Sequence, residues 1–297
     1  MVLGPMSKAR RQSSLPDMVR QIVPLTVTFD LEDNRRSAAQ EPRFEDMSYR
    51  FLEFVERRGI TATVFVVGEI ARTHPGVIRR VAEAGHEIGL HGLRHVALED
   101  VGSDHLADEL TEGRELLEEL AQSPVRGFRA PIFSLTPRSA WAVESIAVAG
   151  FTYSSSVLPA ASPLHGWPGA PRVPFRWDNG LLELPCPVGG LKQAMVPFLG
   201  GIYLRYVPLA LAKRFLRGLD DDAVAWSYSH PYDIDPDEPF FVMPYAGWLT
   251  SRILHTRRRA TLPALGRRIA AGGGAGPPLG EIVDGLSIAD LPLVRSR

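Results

Sequence analysis

The sequence has 297 residues, of which 45% are apolar and 23% charged, which suits one large folded domain or two small ones and excludes extensive disorder. Its 33 lysines and arginines nearly balance its 34 aspartates and glutamates, so the net charge indicates neither a nucleic-acid nor a membrane partner. The single cysteine, Cys186, cannot form an internal disulfide, which fits a reducing compartment.

The N-terminal part of the sequence is polar and basic. Residues 1–22 contain Lys8, Arg10 and Arg11 but no continuous apolar segment of signal-peptide length, which predicts a flexible N-terminal extension. No later stretch is apolar over the length that a bilayer requires, so no integral membrane segment is expected. We therefore expect a cytoplasmic protein without a nucleic-acid partner, and the sequence carries no signal for an oligomeric state.

Strands and helices alternate from Leu25 onward. The pattern predicts a strand in PLTVTFD, a helix in SYRFLEFVERRG, a strand in TATVFVVG, a helix in PGVIRRVAEAG and a strand in HEIGLH. A long helix with Ser103 as its N-cap, a short strand in VRGFRAP, a helix over Pro137–Ala149 and a strand in FTYSSS continue the alternation. Such parallel βαβ units predict an α/β fold, and their number favours a barrel over two separate sheets.

The pattern changes in two later regions. Residues 159–208 are rich in proline, glycine and aromatic residues and are predicted to be an insertion within a barrel that spans 23–245. Within the insertion, Asn179-Gly180 predicts a hairpin turn between FRW and LLELP. A helix over Pro208–Leu219 and a strand in AVAWSYSH follow. The glycine-rich AAGGGAGPP predicts a flexible connector, and residues 246–297 are expected to pack on the barrel or to be partly flexible.

Polar residues gather where the predicted strands end. In a parallel barrel the carboxyl ends of the strands and the loops that follow them form the reactive face. The candidates at these positions, in chain order, are Asp30, Glu32, Asp33, His91, His95, Arg129 and His230. Crowded acids cost stability unless a cation, an arginine or a proton compensates them, and Arg129 supplies part of that compensation.

The two histidines of GHEIGLHGLRH are the clearest candidate metal ligands. His91 and His95 lie four residues apart, so one helical turn after the strand would place both imidazoles on one face, although a hydrogen-bonded turn pair is the simpler alternative. An acid from the first strand would complete a set of two histidines and one carboxylate. Strand alternation favours Glu32 as that acid, whereas a turn directly after Leu31 favours Asp33.

Taken together, these residues resemble the polysaccharide deacetylase, or NodB homology, family of carbohydrate esterases, in particular its branch linked to exopolysaccharide gene clusters. The resemblance runs from about Leu25 to Tyr245. Its motifs, in order, are TFDLED, GHEIGLHGLRH, VRGFRAPIFSLTPRSAWAV, AGFTYSSSVLP, GLLELPCPV and SYSHPYDIDPDEP. The resemblance implies a distorted (β/α) barrel that removes an acetyl group from an N-acetylated amino sugar or oligosaccharide with the help of one divalent metal.

The same resemblance assigns roles to individual residues. Asp30 is implied to be the general base, held by Arg129, and His230 the general acid. The metal ligands are implied to be His91, His95 and one acid, Glu32 or Asp33. Zn²⁺ is the default metal, although Co²⁺, Ni²⁺ or Mn²⁺ tolerates the same ligands. Substrate contacts are assigned to Pro131, Ile132, Tyr232 and Trp177, with a backbone N–H near Ile132 facing the oxyanion.

Two departures from the family pattern keep other functions open. Leu31 follows Asp30 where relatives usually carry a second aspartate, and Ser154 stands where they usually carry an aspartate before two serines. The alternatives are a catalytically degenerate barrel that binds a glycan, and an amide hydrolase for a small non-sugar substrate such as a cyclic ureide. An aromatic sugar platform in the insertion competes with plain core packing; its candidates are Trp167, Trp177, Tyr203 and Tyr206.

Overall fold

The computed structural model describes residues 23–35, 40–162, 165–191, 194–242 and 247–296. The predicted N-terminal extension, residues 1–22, therefore lies outside the described residues. No described helix combines the length and the hydropathy that crossing a bilayer would require.

Strands and helices alternate through most of the described chain. The described strands are β1 (Thr26–Leu31), β2 (Thr63–Val66), β3 (Glu87–Leu90), β4 (Gly127–Phe128), β5 (Tyr153–Ser154), β6 (Phe175–Trp177), β7 (Leu182–Glu183), β8 (Gly189–Leu191), β9 (Ala194–Val196), β10 (Trp226–Ser227) and β11 (Leu293–Val294). The described helices are α1 (Arg43–Glu56), α2 (Glu69–Thr73), α3 (Pro75–Glu83), α4 (Leu98–Val101), α5 (Ser103–Ala121), α6 (Ala142–Val148), α7 (Tyr203–Tyr206), α8 (Leu209–Arg217), α9 (Pro231–Ile234), α10 (Trp248–His255), α11 (Thr261–Ala271) and α12 (Leu279–Asp284).

Nine of the described strands form one sheet. Their order is β10-β1-β2-β3-β4-β5-β7-β6-β11, and every neighbouring pair is parallel except β6 and β7. Because parallel strands point the same way, the loops that follow β1, β3, β4 and β10 all open at one end of the sheet. The predicted α/β class with a mainly parallel sheet is confirmed.

Strand β1 shows how the sequence positions the reactive residues. Val27, Phe29 and Leu31 join the core between the sheet and the helices, where the ring of Phe29 stacks on Phe51 with 4.1 Å between centroids. Successive side chains of a strand point to opposite faces, so Thr28 and Asp30 face the inside of the curled sheet. The alternation of TVTFDL therefore buries three polar side chains, those of Thr26, Thr28 and Asp30, in the interior.

The insertion and the C-terminal segment are both integrated into the sheet. The predicted hairpin at Asn179-Gly180 is confirmed, since β6 and β7 pair antiparallel on either side of it, and β7 continues the sheet next to β5. The glycine-rich stretch predicted as a flexible connector is instead hydrogen-bonded to Leu25, the residue directly before β1. Leu25 N–H donates to Gly274 O, and Gly276 N–H donates to Leu25 O, both at 3.0 Å.

Three local predictions differ from the structure. Helix α5 begins at Ser103 itself, with Gly102 before it at a φ of 84°, a left-handed conformation that glycine adopts without strain. The helix predicted over Pro137–Ala149 is split into a short 3₁₀ turn, Pro137–Ser139, and α6. Residues 91–97 form a loop, not the helical turn expected for the two histidines.

Candidate metal centre and active site

The candidate residues meet in a cavity at the carboxyl ends of the strands. Its volume is about 480 Å³. Eight of the predicted site residues line this cavity, together with others from the insertion; they are Asp30, Glu32, His91, His95, Arg129, Ile132, His230 and Tyr232. The curled sheet thus brings together residues that lie about 200 positions apart in the sequence.

Three side chains converge as a candidate metal site. Glu32, His91 and His95 offer one ligand atom each, and these atoms all lie within 4.8 Å of one another. Glu32 Oε2 lies 2.5 Å from His95 Nε2 and 3.6 Å from His91 Nε2, yet it is buried without a well-formed hydrogen bond among the described residues. A buried carboxylate oxygen that faces two imidazole nitrogens fits a divalent cation that accepts nitrogen and oxygen ligands.

The loop after β3 holds the two imidazoles in place. His91 Nδ1 lies 2.9 Å from the carbonyl oxygen of Arg129, so Nδ1 carries the proton and Nε2 faces Glu32 with its lone pair. Gly68 N–H donates to the carbonyl of Gly92, which ties the loop to the segment after β2. Gly92 has a φ of 78°, and a Cβ there would lie 2.8 Å from Arg94 O. The chain turn between the histidines therefore depends on glycine.

The structure separates the two acids that the sequence offers as third ligand. Strand β1 ends at Leu31, but Glu32 keeps the alternation and points to the same side as Asp30. Asp33 points elsewhere and binds Arg35, with 2.8 Å between Arg35 Nε and its Oδ2. Burial alone would raise the pKa of Glu32, but the imidazoles of His95, His230 and His91 hold it well below its usual value. Of the two alternatives, the geometry favours Glu32 and not Asp33.

We expect Glu32→Gln to weaken metal binding much more than Asp33→Asn. Replacing a side chain that only orients a ligand already costs about 10- to 100-fold in affinity, and loss of a ligand oxygen costs at least that. Metal content after dialysis, measured by atomic emission, compares the two variants. Asp33→Asn is the matched control because it removes a neighbouring carboxylate that binds Arg35. Equal metal loss from both variants would contradict this assignment.

Asp30 is held by a buried arginine. Arg129 Nη1 donates to Asp30 Oδ1 at 2.6 Å and to Thr28 Oγ1 at 2.7 Å, while Nη2 donates to Ser155 Oγ at 3.0 Å. The guanidinium also lies between the rings of Phe65 and Trp226, with centroid distances of 4.1 and 4.3 Å. A buried charge is tolerated when it is paired, hydrogen-bonded and covered by aromatic faces in this way. Asp30 is therefore fixed in one orientation beside the metal site.

His230 is linked to Arg205 through the carboxylate of Asp233, which contacts both side chains. Its Nδ1 lies 2.6 Å from Asp233 Oδ2, and Arg205 Nη1 lies 2.5 Å from the other oxygen of that carboxylate. Its Nε2 points to Asp30 Oδ2 at 3.7 Å, and its ring stacks on Tyr232 with 4.7 Å between centroids. Burial alone would lower the pKa of His230, but Glu32, Asp233 and Asp30 raise it to about 9.

The pKa of Asp233 is shifted in the opposite direction to that of His230. Burial alone would raise its pKa, but His230 and Arg205 lower it to about 2. His230 is thus paired with a carboxylate whose pKa is lowered, and its own raised pKa favours a proton on the imidazole at neutral pH. Sequence reasoning missed this role of Asp233, although its position three residues after His230 in HPYD was a usable signal. Arg205 lies in the insertion and gave no local signal.

The loop after β4 is strained where it faces the cavity. Ile132 and Phe133 both have positive φ values, 51° and 53°, which costs about 1–3 kcal/mol per residue. The ring of Phe133 packs edge-on against Tyr228 at 5.1 Å, which offsets part of that cost. Among the described residues, the N–H of Ile132 donates to no backbone carbonyl. It is available to an oxygen atom in the cavity.

The other residues predicted to contact substrate differ in whether they line the cavity. Tyr232 lines the cavity beside His230, whereas Pro131 is buried and does not line it. Trp177 does not line the cavity, because its side chain is buried and packs against Trp167 and Phe175. Of the four aromatic platform candidates, the cavity contains one, Tyr203.

A carboxylate stands close to the position where Ser154 departs from the family pattern. Ser154 pairs in the sheet with Glu183, the neighbouring residue on β7. Glu183 Oε1 accepts the N–H groups of Ser156 and Val157 at 2.6 and 2.8 Å. Ser156 Oγ in turn accepts the N–H of Ala130 at 2.8 Å. Glu183 of β7 therefore holds Ser156 after β5, and Ser156 in turn holds Ala130 at the start of the Ile132 loop.

Comparison with protein families divides the chain into two matched segments. Residues 24–152 match the model described as polysaccharide deacetylase. This segment is a polysaccharide deacetylase domain. It contains Asp30, Glu32, His91, His95 and Arg129. Residues 155–271 match the model described as a domain of unknown function (DUF3473). His230, Asp233, Arg205 and Glu183 lie in that second segment, so the cavity is assembled from both.

Curated relatives match this chain over short stretches. A peptidoglycan-N-acetylglucosamine deacetylase of Bacillus cereus is 29% identical over 96 residues, which cover 32% of this chain and 35% of that protein. A chitooligosaccharide deacetylase of Sinorhizobium fredii is 31% identical over 81 residues, which cover 27% of this chain and 38% of that protein. The chain thus spans little more than a third of the length of these relatives.

Solved structures match the whole fold. A protein of Mycobacterium smegmatis assigned as a polysaccharide deacetylase superposes with a TM-score of 0.62 at 23% identity, covering 100% of this chain and 99% of that one. An allantoinase superposes with a TM-score of 0.53 at 18% identity, covering 99% of this chain and 95% of that one. The first likeness confirms the predicted distorted (β/α) barrel of the polysaccharide deacetylase family.

Proposed function

We propose that this protein is a metal-dependent N-deacetylase that hydrolyses the acetamido group of an N-acetylated amino sugar during glycan or glycoconjugate biosynthesis. The observation that carries the proposal is that Asp30 and His230 line the same cavity, with 3.7 Å between Asp30 Oδ2 and His230 Nε2, next to Glu32, His91 and His95. The names of the relatives from Bacillus cereus and Sinorhizobium fredii support an N-acetylated sugar as the substrate class.

Glu32, His91 and His95 would hold the divalent cation, with Zn²⁺ as the first choice. When bound there, such a cation supplies Lewis-acid chemistry, acidifying a water molecule and polarising the amide carbonyl. Among the described residues these three form the set of metal-ligating side chains close enough to share one ion. The remaining chemistry falls to side chains of the chain itself.

Asp30 would accept the proton of the attacking water. Arg129 donates to Asp30 Oδ1, while Asp30 Oδ2 lies 3.7 Å from His230 Nε2 in the cavity. A general base of this kind contributes about 10²- to 10⁴-fold to a rate. The unpaired N–H of Ile132 would then face the developing oxyanion of the tetrahedral intermediate, which is most effective in a pre-organised position.

His230 would donate the proton that the departing amine requires. Its raised pKa keeps the imidazolium populated near neutrality, and the 2.6 Å contact with Asp233 fixes the ring with Nε2 toward the cavity. His230 and Asp30 thus divide the acid and base roles between them.

Acetate release tests the proposed function. We expect the purified protein to release acetate from N-acetylglucosamine oligomers or peptidoglycan fragments, to lose this activity after treatment with a chelator, and to recover it when Zn²⁺ is added. Heat-denatured protein is the control for chemical hydrolysis. A protein that holds stoichiometric metal but releases no acetate from the panel would instead support the glycan-binding alternative. Turnover of a cyclic ureide in its place would support the small-substrate amide hydrolase.

We also propose a cytoplasmic location, which would direct the enzyme to glycan precursors. The single cysteine of the sequence supports this, because a chain for an oxidising compartment often carries paired cysteines. Fractionation of cells that produce the full chain tests the location.

A further inference from the structure

Helix α10 has its apolar residues on the outside. Trp248, Leu249 and Ile253 are exposed at 62%, 66% and 41%, whereas the fully buried residue of the helix is Ser251. The side chain of His255 also faces inward and is nearly buried. A helix on a protein surface normally buries its apolar side chains and exposes its polar ones. The reversed arrangement of α10 indicates a surface that contacts something apolar.

The exposed side chains form one continuous patch. Trp248 and Arg252 lie four residues apart, as do Leu249 and Ile253, so all four project from neighbouring positions of the helix surface. The guanidinium of Arg252 lies 4.9 Å from the ring centroid of Phe240 and 5.9 Å from that of Trp248. We call Phe240, Trp248, Leu249 and Ile253, with Arg252 between them, the Trp248 patch.

Two arginines in or near the Trp248 patch lack a carboxylate partner among the described residues. Among the described residues, neither Arg252 nor Arg257 forms an ion pair with a carboxylate, and Arg257 lies over the ring of Tyr206 at 5.3 Å. Arg259 contacts the exposed Asp237 at 3.4 Å, a distance and exposure that give little neutralisation. An apolar patch with unpaired arginines is complementary to a partner that is both apolar and anionic.

The patch adjoins the active-site cavity. Leu254, on the inner side of α10, lines the cavity that contains the candidate metal site. Phe240 lines a neighbouring cavity of about 340 Å³, which shares Glu32 and Tyr232 with the first. Whatever covers the Trp248 patch therefore lies next to the openings through which substrate reaches the site.

We propose that the Trp248 patch binds the surface of an anionic lipid bilayer. Tryptophan and aliphatic side chains partition into the headgroup boundary, and each arginine near a negatively charged membrane adds electrostatic attraction. A second copy of the chain fits less well, because a symmetric contact would place the arginine-bearing face against itself. The bound protein would present its cavity to substrates held at the membrane, a role that goes beyond the deacetylation itself.

Sedimentation of the full chain with vesicles tests this proposal. We expect binding to vesicles that contain phosphatidylglycerol, weaker binding at high salt, and no binding to vesicles of phosphatidylcholine alone. Leu249→Glu and Ile253→Glu should each weaken binding by about tenfold or more, because each removes apolar burial and adds a repelled charge. Val148→Glu is the matched control, since Val148 is also an exposed aliphatic residue, at 68%, on the separate helix α6.

Three results would overturn the proposal. These are failure to bind phosphatidylglycerol vesicles, equal loss of binding in Val148→Glu, and a dimer in light scattering that Leu249→Glu dissociates, which would assign the patch to a second copy. Acetate release from a soluble substrate should be unchanged in Leu249→Glu and Ile253→Glu. Activity therefore reports on the proposed function, and vesicle binding reports separately on the patch.

Discussion

Asp30→Asn is expected to lower kcat for deacetylation by about 10²- to 10⁴-fold while the protein keeps its metal. The carboxylate of Asp30 would take the proton of the attacking water, and an amide cannot do so. Asp30 does not belong to the cluster of Glu32, His91 and His95, so its replacement leaves those ligand atoms in place. Single-substrate kinetics together with metal content after dialysis measure the two effects separately.

The stability of this variant must be measured alongside its activity. Breaking a buried ion pair costs about 3–5 kcal/mol when the remaining charge is uncompensated. Arg129 keeps its hydrogen bonds to Thr28 and Ser155 and its two aromatic neighbours, which reduces the cost in this case. We therefore expect a lower midpoint of thermal unfolding but a folded protein at the assay temperature. Loss of metal from folded Asp30→Asn, or an unchanged kcat, would contradict the role of Asp30.

Local pattern was sufficient to predict the first strand and its acids. The alternation of TVTFDL places Val27, Phe29 and Leu31 in the core, and it carries Asp30 and Glu32 to the inner face together. The period of two is set by backbone geometry alone, so it can be read from sequence. The choice of Glu32 over Asp33 depends on whether that period continues past the last ladder hydrogen bond, and the sequence left this open.

The histidine pair was predicted for a partly wrong reason. The spacing of His91 and His95 suggested a helical turn, but the structure holds them in a loop with 5.2 Å between ring centroids. Backbone hydrogen bonds from Gly68 and Glu69 to the loop carbonyls set this geometry. These bonds come from the end of another strand, so a local pattern does not contain them.

Contacts between segments that are distant in the sequence were the main features that the sequence did not predict. Arg205 and Asp233 meet through the packing of the insertion against α9, and Glu183 reaches the loop after β5 because β7 is that strand's neighbour. Trp177 was predicted to contact substrate, but its side chain is buried. An aromatic residue in a glycine-rich region has the same local signature in a core as on a sugar platform. These contacts depend on strand order and on the packing of distant segments, which local patterns in the sequence do not determine.

His230→Gln is expected to lower kcat by about 10²- to 10³-fold at neutral pH, because glutamine cannot give a proton to the leaving amine. Steady-state kinetics with a soluble N-acetylated oligomer measures the change. Asp33→Asn, which alters a carboxylate outside the metal cluster, is the matched control and should keep nearly full activity. A His230→Gln enzyme with near-normal kcat would place the acid elsewhere.

Asp233→Asn keeps the imidazole of His230 but changes its pKa, so it tests how much that pKa matters for activity. The carboxylate of Asp233 raises the pKa of His230, so its removal lowers that pKa, and a charge-assisted hydrogen bond worth about 1.5–3 kcal/mol corresponds to roughly one to two pH units. His230 must be protonated to act as the acid, so activity is present below its pKa and lost as the pH rises through it. The alkaline limb of the kcat profile should therefore move to lower pH in Asp233→Asn. A drop in kcat with the alkaline limb unmoved would show that Asp233 supports the fold without tuning the acid.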